Sequence, residues 1–282
     1  MQVVLPSGVL RGTVALVPRA SKGMSTERVT ILCARLGLCS RGEAERFIRL
    51  GLVAVDGRPV REAGALVDSN AQVSLLERGK RIQAAKVTLM LHKPVHYASC
   101  RATGGQPLAR RLLDPTNRCP ACKSRCDPRR MSRLDVADVL DEAASGALVF
   151  SQDGRVATRI SRDSTVEKEY VVQTLGGIVQ SQLKALEEVL RAEAASHDEG
   201  MEPLGAPRPA CGVGEVMESF VRQDADDRLG VTVRGLTTCA AVKQALVLAG
   251  LRSTSLVRVR IGNLRMDGLP AGVWTVVNAA NI

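Results

Sequence analysis

The 282-residue chain is poor in aromatics: one Trp, two Tyr and three Phe make up 2% of it. That scarcity argues against reading nucleic acid by rows of stacked bases, which needs an aromatic platform for each base. No apolar run approaches the roughly 20 residues that span a bilayer, so no membrane partner is expected. The eight Cys sit in a long chain whose start does not read as a secretory signal, so a small disulfide-stapled fold is not expected either. Acids are outnumbered, 29 Asp and Glu against 39 Lys and Arg, for a net charge of +10. This balance favours a polyanionic partner, met by Arg and Lys against phosphate and by RNA shape.

Residues 1–26 carry Arg11, Arg19 and Lys22, with no acid before Glu27. That composition suits a mitochondrial transit peptide, with a basic RNA-binding arm of a cytoplasmic protein as the alternative. Thr26 to Leu38 then has a helical apolar pattern. Ser40-Arg41-Gly42-Glu43 is a capping-box signature, and the helix behind it places Ala44, Phe47 and Ile48 on one face. Gly51 is placed to end that helix, and Asp56-Gly57 turns a hairpin between Leu52–Val55 and Pro59-Val60. Ala71 to Leu76 reads as a further strand.

The polar segment 78–86 reads as a linker between a module at 27–77 and a larger domain at 87–282. That domain opens on a strand, Val87 to Leu91, followed by Lys93-Pro94-Val95-His96. Leu108 to Leu113 reads as a short helix. Between Arg118 and Arg133 six cations face only Asp127, a patch suited to phosphate. The same stretch holds Cys119, Cys122 and Cys126, a spacing with the reach to grip zinc. Cys100, Cys211 or His197 would supply the fourth ligand; ordinary loop cysteines are the alternative.

The stretch that organises the chain is Arg129 to Gly154. Asp135 follows Arg133-Leu134, and Asp141 lies six residues on. A turn at Ala144-Ser145-Gly146 leads into the apolar run Ala147 to Phe150, and Gln152-Asp153-Gly154 reads as a polar turn. An acid at the edge of a buried strand is held by rigid backbone, a suitable place for a reactive group. On these residues alone, solvated loop acids are the simpler alternative. Further on, Val166 to Thr174 reads as a strand, Gln180 to Ala192 as an amphipathic helix and His197 to Pro209 as a surface loop. Leu229 to Val233 reads as a strand and Val242 to Leu248 as a helix closed by Gly250. From Lys184 to Arg228 acids exceed bases eleven to five, which marks a region turned from RNA or toward a protein.

Two resemblances connect these segments. Glu27 to Leu76, through Arg28, Ala34 to Gly37, Ser40-Arg41, Glu43-Ala44, Gly51 and Asp56-Gly57, resembles the alpha-L RNA-binding domain of ribosomal protein S-four. That likeness makes Arg35, Ser40, Arg41, Arg46 and Arg49 RNA-facing positions. The rest resembles the RsuA-like pseudouridine synthases, whose motif runs G-R-L-D-x-x-T/S-x-G-L-L-L-L-T-x-D-G. Ser132 to Asp135 fits its first half, and Asp141 to Gly154 fits its second half in register, six residues out of step. Lys168 and Tyr170 fit a K-x-Y element, and Arg258 to Trp274 fits the family's C-terminal pattern.

The family likeness implies an α+β fold: a helical-hairpin RNA-binding module joined to a synthase domain with a central, mainly antiparallel sheet. It implies isomerisation of uridine in ribosomal RNA, here of the large subunit, with no cofactor beyond the structural zinc already raised. Asp135 is the expected acid and Asp141 the runner-up, with Tyr170 lining the base pocket and Lys243 beside the carboxylate. Lys93, Arg129, Arg130 and Arg133 are expected on RNA. The departures, His96 where the family has glycine and Lys243 where it has arginine, leave a second reading: an inactive RNA-binding scaffold for ribosome assembly, contacting assembly proteins.

Overall fold

The computed structural model describes residues 25–102, 104–163, 165–199, 220–234 and 238–282. The stretch at 1–24, Cys211 and most of the segment 197–209 therefore lie outside the described residues. The chain divides into two compact units, Met1–Ile82 and Gln83–Ile282.

In the first unit β1 (Thr26–Arg28) leads into α1 (Val29–Arg35), and α2 (Arg41–Arg49) follows. The expected helix thus starts three residues late, because Thr26 to Arg28 pairs with β4 (Leu66–Asp68) instead. Ser40 and Glu43 form the capping box, with the Ser40 amide donating to the Glu43 carboxylate at 2.8 Å. Gly51, at φ +67°, turns the chain out of α2, a conformation that costs an L-residue roughly 1–2 kcal/mol. The hairpin is β2 (Val53–Val55) and β3 (Arg58–Val60), turned by Asp56 and Gly57, both with positive φ. β5 (Val73–Leu75) pairs with the other edge of β2. Val29, Leu32, Phe47, Ile48, Val53 and Val55 form a core closed to solvent. The segment read as a linker is largely helical: α3 spans Glu77–Ala84.

The second unit is built on a mixed nine-stranded sheet. Its strands are β6 (Thr88–Lys93), β7 (Asp135–Val136), β8 (Ser145–Ser151), β9 (Glu167–Thr174), β10 (Phe220–Ala225), β11 (Arg228–Arg234), β12 (Ser253–Ile261), β13 (Leu264–Arg265) and β14 (Trp274–Val277). The order is β10-β11-β9-β12-β8-β6-β14, with β13 on β12 and β7 on β8. All these pairings are antiparallel except β12 with β8. Alternate residues enter two cores, as a period of two requires. Leu89, Leu91, Leu148, Phe150, Tyr170 and Val172 face α5 (Gln180–Glu199) and α6 (Cys239–Leu248). Met90, Ala147 and Val149 face α4 (Gly154–Arg162) and the C-terminal Ile282.

Three expectations need amending here. Gln152-Asp153-Gly154 is a helix start rather than a plain turn, since Asp153 accepts the Arg155 amide at 3.0 Å and caps α4. The helix expected to stop at Ala192 runs on to Glu199, so His197 is helical and not in a loop. The helix at Leu108–Leu113 is a single 3-10 turn, Ala109–Leu112. No described helix is long and apolar enough to cross a membrane.

Candidate active site

Gly146 fixes where the acid-bearing segment meets the sheet. It has φ +116° and pairs with Arg258 across the parallel β8–β12 contact. A Cβ there would press on the Arg258 carbonyl oxygen and stand 2.6 Å from its nitrogen. Only glycine fits there, at the second residue of β8, just after the turn that carries the acid.

That upstream segment carries Asp141. Lys243 of α6 donates to its Oδ2 at 3.1 Å, and the Ala143 amide to its Oδ1 at 3.0 Å. Burial works to raise the carboxyl's pKa, but the Ala143 amide, Lys243 and Lys93 outweigh it and hold the group below the usual carboxylate range. Asp141 is therefore ionised at neutral pH while 29% exposed, open enough to meet a ligand. Lys243 supplies a single point charge to Asp141, without the fork geometry that an arginine would bring.

The backbone around Asp141 is held on every side. The Ser99 hydroxyl donates to the Leu140 carbonyl at 2.5 Å and accepts its amide at 3.1 Å. The Asp141 amide faces the Cys239 thiol, which burial pushes up in pKa. The Glu142 carbonyl accepts the His96 amide at 2.8 Å. His96 has φ +65°, a left-handed backbone that glycine adopts freely and other residues rarely do. The neighbouring ammonium of Lys93 donates to the carbonyls of Pro94, Tyr97 and Glu142 at 3.0, 2.9 and 3.4 Å.

Several sequence expectations are corrected. Asp135 lies exposed on β7 and enters no ion pair among the described residues, whereas Asp141 is the acid that meets Lys243 of α6. Lys93 does not face RNA: it is closed to solvent, and burial lowers its pKa to about 8. Tyr170 does not line an open pocket either, since its ring belongs to the core with 0% exposure and burial raises its hydroxyl's pKa. The three cysteines do not converge on a metal. Cys126 packs on one core and Cys119 on the other, and no metal-holding cluster forms among the described residues.

The basic positions are distributed as follows. Arg41 and Arg49 are exposed on α2, and Arg46 stands over the Phe47 ring at 5.4 Å. Arg35 is engaged by Glu27 at 3.1 Å and by the Ser69 carbonyl at 2.6 Å. Arg129 is held by Asp114 and Asp127, Arg130 by Asp127, and Arg133 is exposed with φ +56°. Ser40 is half-buried at the start of α2.

Sequence reasoning missed Asp138. Its Oδ2 accepts Arg258 Nη1 at 2.6 Å and lies 3.3 Å from Lys168 Nζ. The signal was an acid three residues before Asp141, with its two cations far along the chain on β9 and β12.

The S4 domain family matches residues 27–73. An uncharacterised RNA pseudouridine synthase of Aquifex aeolicus is 29% identical over 242 residues, 83% of this chain and 86% of that protein. The ribosomal large subunit pseudouridine synthase B of Haemophilus influenzae is 27% identical over 264 residues, 91% of this chain and 66% of that protein. The Escherichia coli K12 protein of the same description is 26% identical over 257 residues, 90% and 80% of the two chains. The chain is a homologue of the RsuA-type ribosomal large subunit pseudouridine synthases. A solved pseudouridylate synthase shares the fold of this synthase homologue at TM-score 0.51 and 17% identity, covering 90% of this chain and 96% of that one. The homologue thus joins an S4 domain to a sheet shared with a pseudouridylate synthase.

Proposed function

We propose that this protein isomerises uridine to pseudouridine in ribosomal RNA of the large subunit, with Asp141 as the acid. The observation that carries this is the ion pair between Asp141 and Lys243, which keeps a partly exposed carboxylate charged in the turn that leads into β8. In the reaction the C1′–N1 bond breaks, the uracil turns, and C1′ bonds to C5. The C5 proton leaves and N1 gains one, so no oxidant, reductant or cofactor enters. Asp141 acts at the ribose, and Lys243 keeps it ionised. The target nucleotide must leave its stack to reach the acid, and phosphate contacts by the basic S4 helix offset part of that cost.

Residues 1–26 support a mitochondrial setting, with the modification made during ribosome biogenesis. A reporter fused behind these residues should enter mitochondria, and a cytosolic reporter would remove that part. The reaction itself is tested by incubating the purified protein with large-subunit RNA and mapping pseudouridine by mass spectrometry. Asp141→Asn should form no product while Asp135→Asn keeps activity. The reverse result would return the role to Asp135, and no product from the unaltered protein would favour the inactive scaffold.

A further inference from the structure

The proposed reaction leaves Asp138 without a part, yet its setting is built with care. Its side chain is 13% exposed, and its two cations, Arg258 and Lys168, are 0% and 1% exposed. Arg258 donates from Nη1 to Asp138 at 2.6 Å and from Nε to the Ala147 carbonyl at 2.8 Å. One guanidinium therefore grips both ends of the ten-residue stretch 138–147, which carries Asp141 in its middle. The Arg258 backbone also pairs with Gly146, so the guanidinium cannot drift from that end.

We propose that Asp138 and Arg258 form a buried clip that closes the 138–147 loop and positions Asp141. This rests on Asp141 being the acid. A buried ion pair is a weak device for stability, because apolar residues of similar volume often do as well. It is a strong device for direction, since a guanidinium fixes its partners in a plane. The apex of the loop is held by hydrogen bonds to backbone, from Ser99 and Lys93, and the chain before Asp138 is held on β8 by the Ala137 amide donating to the Val149 carbonyl at 2.8 Å. Asp138 adds a side-chain restraint, tying the base of the loop to β12 through Arg258. It is a positioning residue, since Lys168 and Arg258 screen it from solvent on the side of the core.

The test is Asp138→Asn in the full-length protein, which keeps the shape and removes the charge. We expect kcat to fall by about 10- to 100-fold, the scale of a misplacement near 1 Å, with KM and RNA affinity within about twofold. Amide exchange at Leu140 and Asp141 should quicken while that of β8 stays as it was. Wild-type kcat with unchanged exchange overturns the clip, as does a fall in kcat that merely tracks the folded fraction. If the variant does not fold, Asp138→Ala combined with Lys168→Met keeps the charge balance and is compared with Lys168→Met alone. Equal kcat and exchange in those two also overturn it. The two ideas fail separately: an unaltered protein that yields no product removes the isomerase, while amide exchange, which needs no turnover, still decides the clip.

Discussion

Gly146→Ala is the substitution whose cost the structure defines best. The position has φ +116°, and an L-residue held in such a region costs about 1–3 kcal/mol. The added methyl would stand 2.6 Å from the Arg258 nitrogen, whereas ordinary contact begins at 3.4 Å. β8 and β12 would have to part by about 0.8 Å or more, and overpacking of this kind costs about 1–3 kcal/mol. Together these come to about 2–6 kcal/mol, a large part of the 5–15 kcal/mol typical of a folded domain. For a unit of about 200 residues each kcal/mol moves Tm by about 2–4 °C. Thermal unfolding followed by circular dichroism should therefore show a fall of about 4–24 °C. The altered start of β8 should also lower turnover at temperatures where the variant is folded. A Tm within about 2 °C of the unaltered protein, with full activity, would show that the strands yield there and refute the reasoning.

Lys243→Met should cut kcat by about 100-fold by leaving Asp141 without its cation, while Lys243→Arg should stay within about tenfold; single-turnover assays check both. Lys93 titrates at about 8 in the folded protein against an ordinary 10.5, so the folded state releases its proton first. The resulting penalty is full below about 8 and relieved as pH rises toward 10.5. The unaltered protein should thus gain up to about 3 kcal/mol relative to Lys93→Met across that window, and urea titrations showing no gain would contradict the burial of the ammonium. Alanine at Arg41 or Arg49 should weaken RNA binding evenly across sequences and reduce the slope of log K against log salt by about 0.7–0.9 each, and an unchanged slope would take that arginine off the phosphates.

Local chemistry was legible where it is self-contained. The capping box at Ser40, the helix stop at Gly51 and the Asp56-Gly57 hairpin each depend on a few neighbouring residues, and all appear in the fold. β1 and β4 escaped because three-residue strands exist only through each other, forty residues apart along the chain. β10 escaped because an edge strand with mostly exposed residues shows no alternation. That Lys243 meets Asp141 and not Asp135 could not be read along the chain, since Lys243 is 102 residues from Asp141. Asp138 was invisible for a related reason: its partners Lys168 and Arg258 look like polar interruptions of β9 and β12 until the strands are laid side by side.

The parallel contact between β8 and β12 also sets a timetable. Asp138 is synthesised 120 residues before the Arg258 that grips it, and Asp141 102 residues before Lys243. Domains form from the N-terminus onward as a chain leaves the ribosome. The unit bearing the basic helix α2 can therefore be complete while the acid's loop is still without its partners. A half-made chain presents its arginines first, and the Asp141 loop gains Lys243 only when α6 emerges and Arg258 only when β12 follows.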